Sequence, residues 1–153
     1  MGISLNSGHI EGEGPLLLVH GGAWAIPDPV LDGHREGLQE VLELGRVALR
    51  EGAPALAVVT EAGTGLEAHE AFNAGCGAML NQDGEAELDA GVMDGDTLAY
   101  GAVMAVKHLA RPVRIARRLL SAGEGRVRML AGEGAERFAE AQGVDLVPNE
   151  ELV

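Results

Sequence analysis

One cysteine (Cys76), one tryptophan (Trp24) and one tyrosine are all that 153 residues carry of those types. A lone thiol excludes an internal disulfide framework and suits a reducing compartment, so a cytoplasmic protein is expected. Aromatic residues make up 3% of the chain, so its core has to be filled by Ala, Val and Leu at close spacing. Positive charge is also scarce: 11 Lys and Arg stand against 24 Asp and Glu, for a net charge of −13. Nucleic acid and anionic membranes would repel such a surface, and neither is expected as a partner. No apolar run approaches the roughly 20 residues of a membrane-spanning helix. The first residues lack the basic-then-apolar order of a secretory signal, and Gly2-Ile3-Ser4-Leu5-Asn6 lacks the hydroxyl residue of a myristoylation signal.

Glycine, by contrast, is abundant at 23 residues, and 46% of the chain is apolar. Glycine admits close backbone approach and positive φ, and the apolar fraction is enough for one folded domain. Residues 1–14 read as a flexible leader rich in Gly and Ser. Pro15-Leu16-Leu17-Leu18-Val19-His20 is a short apolar run that predicts a buried strand, ended by Gly21-Gly22. From about His34 to Glu51, Leu38, Val41, Leu42, Ala48 and Leu49 recur at helical spacing opposite a charged face. Gly52 suits the position just past that helix, and Pro54 suits the first residue of the next. The second helix, apolar nearly all round, is expected to end near Gly63 or Gly65.

The middle of the chain changes character. Asn81-Gln82-Asp83-Gly84 is a hairpin signal, and the alternation from Glu85 to Leu88 predicts a strand. Met93-Asp94-Gly95-Asp96 predicts a turn, and Thr97 to Val106 a longer strand of small and β-branched residues. Pro112 opens a helix through Leu120, Arg126 to Leu130 reads as a short strand, and Glu133 to Gln142 as a helix with Ala135, Phe138 and Ala139 inward. The last residues, 149–153, are expected to fray. Strands grouped centrally with helices outside predict a layered α/β (α+β) sandwich with no internal repeat or linker.

Several short motifs carry chemical interest. His20-Gly21-Gly22-Ala23 follows a predicted strand and lets backbone N–H groups face a ligand; a plain tight turn is the alternative. Phe72-Asn73-Ala74-Gly75-Cys76-Gly77-Ala78 is a glycine-studded turn in which the Asn73 amide either donates to an oxyanion or carboxylate, or holds its own backbone. Leu88-Asp89-Ala90-Gly91-Val92-Met93-Asp94-Gly95 follows. Together these residues resemble the plant-type L-asparaginase and isoaspartyl peptidase family, which are N-terminal nucleophile hydrolases. The similarity runs from about Pro15 to Pro148. It includes Gly101-Ala102-Val103, His108 to Arg117, and Gly132-Glu133-Gly134-Ala135. Ala23 and Trp24 depart from the more glycine-rich loop usual after His-Gly-Gly.

The resemblance implies an αββα four-layer sandwich of which this chain supplies one half. It implies autocleavage before a threonine, whose free amine then acts as general base. The chain reaches Val153 with no Gly-Thr-Val-Gly signature, so it is expected to be the α subunit, with residues 15–148 completed by a separate β subunit in an (αβ)2 heterotetramer. The expected reaction is hydrolysis of the side-chain amide of L-asparagine and of β-aspartyl peptides, releasing L-aspartate, with no cofactor required. Glycosylasparaginase-like and taspase-like hydrolases, and a non-catalytic binding protein retaining the half-fold, are the alternatives. By the same resemblance Gly21 and Gly22 lie beside the nucleophile, Asn73 supports the pocket or oxyanion, and no substrate-binding residue is assigned in this chain. The main-chain carbonyls of Leu66, Glu67, His69, Phe72, Ala74 and Cys76 would cage a structural sodium ion; an ordered loop without metal is the other reading.

Other groups point to bland roles. Glu85, Glu87, Asp89, Asp94 and Asp96 do not match a calcium loop and read as solvated or hydrogen-bonded carboxylates, with Asp89 and Asp94 bracing turns. Cys76 reads as a small core residue. His9, His34, His69 and His108 lack metal-ligand spacing. Arg114, Arg117 and Arg118 read as a solvated basic face.

Overall fold

The computed structural model describes residues 14–153, so the expected leader lies outside the described residues save for Gly14. The element order is α1 (Asp28–Arg50), α2 (Ala55–Ala68), β1 (Leu88–Met93), β2 (Tyr100–Val106), α3 (Pro112–Ala122), β3 (Met129–Ala131) and α4 (Gly132–Ala141), then a closing 3-10 helix (Asn149–Leu152). This is a mixed α+β fold.

The predicted strand at 15–20 does not form: no ladder partner exists for it among the described residues, and Leu16 and Leu18 are exposed. Leu17 instead packs on α1, where a Cβ at Gly45 would come within 2.1 Å of Leu17 Cδ2. Helix α1 begins six residues before the expected start, because Pro27 caps it and Pro29 sits in its first turn, where a missing N–H costs no helical bond. At its other end Gly52 takes φ +78°. The Gly52 N–H donates to the Leu49 carbonyl at 3.1 Å and the Ala53 N–H to the Ala48 carbonyl at 3.0 Å, the paired bonds of a Schellman cap.

Pro54 is the cap of α2 rather than its first residue, and the helix runs straight through the glycines expected to end it. These glycines are packing positions: a Cβ at Gly63 would lie 3.1 Å from Val113 on α3, and one at Gly65 would lie 2.9 Å from Val41 on α1. Close approach of three helices, invisible to local propensity, sets their identity.

The three strands form one sheet in the order β1-β2-β3, antiparallel between β1 and β2 and parallel between β2 and β3. β1 starts at Leu88 instead of Glu85, leaving an isolated bridge between Leu80 and Ala86. The Ala86 backbone is satisfied by a side chain: its N–H donates to Asn149 Oδ1 and its carbonyl accepts from Asn149 Nδ2, both at 2.9 Å. β2 starts at Tyr100 rather than Thr97, because Asp94 organises the preceding turn, accepting from the Asp96 N–H at 3.1 Å and the Thr97 hydroxyl at 2.8 Å. A bulge interrupts the β1–β2 register between Leu88 and Ala90, with Ala105 at φ +49°. Asp89 braces it by accepting the Ala105 N–H at 2.8 Å. Both carboxylates therefore brace backbone, as expected.

One face of the sheet packs on α3 and α4 around Leu88, Val103, Val106, Leu109, Ile115, Ala135, Ala139 and Leu152. Helix α3 lies so close that a Cβ at Gly101 would sit 2.2 Å from the Ala116 carbonyl oxygen. Among the described residues the opposite face is left largely uncovered, with Met93, Met104 and Met129 all exposed. The closing residues, expected to fray, are anchored: Leu152 is fully buried. Its carbonyl accepts from Gly77 N–H at 3.1 Å and Ala78 N–H at 3.0 Å.

Candidate functional site

The two glycine-bearing motifs, some fifty residues apart, meet across the ring of Phe72. Gly22 holds φ +103°, and its N–H donates to Nδ1 of His20 at 3.1 Å. A Cβ at Gly21 would stand 2.9 Å from Phe72 Cε1, so only glycine lets this loop lie on the ring. The other side of the ring faces Gly37 of α1, whose Cβ would stand 2.8 Å from Phe72 Cε2. His34 meets Phe72 edge-on, with centroids 5.6 Å apart at 80°, and Trp24 tilts over His34 at 5.8 Å. Such edge-to-face pairs suit the ring quadrupoles.

These contacts enclose a cavity of about 470 Å³, lined by Gly21, Gly22, Trp24, His34, Phe72 and Asn73 among others. The structure thus brings Gly21, Gly22 and Asn73 to one site. Asn73 is exposed on the cavity wall, and its amide makes no hydrogen bond within the described residues. Asn81 behaves differently, its Oδ1 accepting the Asp83 N–H at 2.9 Å and the Glu85 N–H at 3.0 Å. Asn81 is the turn-holding amide, and Asn73 is left free to donate into the cavity. Trp24 and His34 also line it, although the sequence offered no site role for His34. The signal for His34 was its place one turn before Gly37 and Leu38 on one helical face.

The turn after α2 is wound tightly. The Cys76 N–H donates to the Glu67 carbonyl at 2.9 Å, and a Cβ at Gly75 would fall 2.2 Å from that oxygen. The carbonyls of Leu66, Glu67, His69, Phe72, Ala74 and Cys76 all belong to this segment, and neutral carbonyls suit a hard cation. The Glu67 carbonyl, however, also accepts from Arg111 Nη1 at 3.2 Å. Both its lone pairs are then used, and the guanidinium's charge opposes a second cation on the same oxygen. The six carbonyls do not fit a sodium cage with Arg111 in this position.

The Glu67 side chain is only 4% exposed. Its Oε1 accepts the Val113 N–H at the start of α3, at 2.8 Å, while Oε2 has no partner among the described residues. Burial pushes its carboxyl up to about 8, against the opposing pull of the Val113 hydrogen bond and of Arg111 and Arg114. An acid at a helix N-terminus with one oxygen unsatisfied is held largely neutral by desolvation.

The remaining candidates take structural roles. Glu85 and Glu87 pair with Lys107, at 2.5 and 3.9 Å. Glu136, unremarked in the sequence, accepts the backbone N–H groups of Lys107 and His108 at 2.7 and 3.1 Å. Among the described residues no cluster of His, Cys, Asp and Glu is arranged to hold a metal, and His9 lies outside them. Arg114 pairs with Glu61 at 3.2 Å, and Arg118 donates to the Gln142 carbonyl, so two of the three basic side chains on α3 are tied within the chain. Cys76 is half-buried, 3.6 Å from Arg111 Nη1. A broad depression lies on α1 among Gln39, Glu40, Glu43, Leu44 and Val47, away from the residues singled out in the sequence. No described helix is long and apolar enough to cross a membrane.

Residues 13–153 match the family model described as asparaginase. The chain is 41% identical over 139 residues to an isoaspartyl peptidase/L-asparaginase of Xenopus laevis, covering 91% of this chain and 44% of that protein. It is 40% identical over 140 residues to the Homo sapiens protein of the same name, covering 91% and 45%. It is 46% identical over 134 residues to an isoaspartyl peptidase of Salmonella typhimurium, covering 84% and 42%. The chain therefore spans less than half the length of the curated relatives it matches, and within that span it belongs to the asparaginase family.

Proposed function

We propose that this chain is the α-subunit portion of an autoprocessed threonine hydrolase that cleaves the side-chain amide of L-asparagine and the isopeptide bond of β-aspartyl peptides. The observation that carries the reading is the meeting of Gly21, Gly22 and Asn73 around one cavity, in a chain matching relatives named isoaspartyl peptidase. The uncovered sheet face with Met93, Met104 and Met129 supports an αββα sandwich. A second sheet, from a β subunit of the same precursor, would bury that face. The (αβ)2 assembly and a cytoplasmic setting belong to the same proposal.

In this reading the threonine hydroxyl oxygen from the β subunit attacks the side-chain carbonyl carbon, with the threonine's own amine taking the proton. The C–N bond breaks, and the nitrogen leaves as ammonia or as the amine of the released peptide. Water then hydrolyses the ester and frees aspartate. The Gly21-Gly22 backbone lets the nucleophile come close, and the Asn73 amide donates to the developing oxyanion or to the substrate carboxylate.

The test is aspartate release from β-aspartyl-leucine and from asparagine by the enzyme encoded by the full reading frame, with N-terminal sequencing of its fragments. A fragment beginning with threonine and measurable release are expected. Asn73→Ala should lower kcat by roughly 10²- to 10³-fold, as for loss of an oxyanion donor, with little change in stability. An uncleaved protein without activity, or an unaffected Asn73→Ala, overturns the proposal.

A further inference from the structure

We propose that the Arg111 guanidinium is the resident cation of the 66–76 turn, holding it in the shape that presents Phe72 and Asn73 to the cavity without an alkali metal. This role concerns how the turn is held and is independent of the proposed reaction.

The geometry begins with Glu67. Its carbonyl oxygen receives the Cys76 N–H at 2.9 Å and Arg111 Nη1 at 3.2 Å. The same nitrogen donates to the Ala110 carbonyl at 2.6 Å and lies 3.6 Å from Cys76 Sγ. One positively charged group therefore bridges the last turn of α2, the Gly75-Cys76 corner and Ala110, its own neighbour in the chain. Glu67 is gripped at its other end too, since its carboxyl accepts the Val113 N–H. Arg111 directly precedes Pro112, which opens α3 and limits the backbone freedom of the residue before it. The guanidinium is thus delivered to the turn by a packed element.

Carbonyl dipoles crowded into one tight turn repel one another, and a cation relieves that repulsion. A bound metal does so only as far as its concentration and affinity allow. Arg is protonated at every physiological pH and is covalently attached, so its occupancy does not depend on salt. The two hydrogens on its Nη1 suffice for the Glu67 and Ala110 carbonyls at once.

The test is thermal unfolding of the full-length enzyme in sodium chloride and in choline chloride at constant ionic strength. The wild-type midpoint should be the same in both salts to within about 1 °C. Arg111→Ala should unfold about 4 °C or more lower in choline and recover part of that loss as sodium is titrated in, because the freed Glu67 oxygen becomes a metal ligand. Arg111→Lys, which keeps the charge, should stay insensitive to sodium. A saturable rise of the wild-type midpoint by about 3 °C or more with sodium overturns the assignment, as does an Arg111→Ala variant as stable as wild type in choline. If Arg111→Ala is insoluble in both salts, Arg111→Lys and the wild-type titration decide: two flat midpoints support the assignment, and a sodium-dependent rise in either overturns it.

Discussion

Replacing Glu67 by glutamine should uncouple the stability of this fold from pH across the neutral range. Glu67 is 4% exposed, and burial raises its carboxyl from 4.5 to about 8. Between those values the folded state holds a proton that the unfolded chain gives up. Stability therefore falls as pH rises, by about 1.4 kcal/mol per pH unit, toward a total of about 5 kcal/mol. Below about pH 4.5 and above about pH 8 this contribution is flat. The substituted amide keeps an oxygen to accept the Val113 N–H, which lies 2.8 Å from Glu67 Oε1. It puts an NH2 group where Oε2 has no partner, a fixed cost of about 1–3 kcal/mol at every pH.

The assay is urea unfolding of wild type and Glu67→Gln, each carried on the full-length enzyme, from about pH 5 to about pH 9. The difference between the two proteins should swing in favour of the variant by about 3–5 kcal/mol over that range, because groups common to both cancel. A difference that stays constant within about 1 kcal/mol would refute the reasoning. It would mean that Arg111 and the α3 N-terminus hold Glu67 ionised despite its burial.

Two further substitutions probe the site's scaffold. Gly75→Ala places a methyl 2.2 Å from the Glu67 carbonyl oxygen and should cost at least about 3 kcal/mol in chemical unfolding, as severe overpacking does. Gly84→Ala, at φ +80° with nothing nearby, should cost only about 1 kcal/mol; equal losses would contradict the close-approach argument. Leu152→Ala removes a fully buried side chain from the core cluster and should destabilise by about 2–5 kcal/mol. A loss under about 0.5 kcal/mol would mean that the closing 3-10 helix is not part of the core.

Much of the secondary structure could be read from local signals, because those signals act within a few residues. Pro112 starting α3, Gly52 ending α1, and Asp94 building its turn are all choices a short peptide can make. The motifs were legible for the same reason, since each needs contiguous residues of set identity. Misreadings fell where distant groups decide. Gly63 and Gly65 looked like a helix end, yet they are glycine because Val113 and Val41 press against α2. Residues 149–153 looked loose, yet Asn149 completes the Ala86 backbone and Leu152 receives the Gly77 and Ala78 N–H groups.

The candidate site divides in the same way. Contiguous motifs were enough to name the family and to single out Gly21, Gly22 and Asn73, because each motif is a short run of set residue identities. That Trp24 and His34 share their cavity, that Arg111 stands on the Glu67 carbonyl, and that Glu67 is buried and held neutral were decided by tertiary packing alone. Desolvation and charge–dipole contacts depend on which surfaces meet, and no sequence-local rule carries that information.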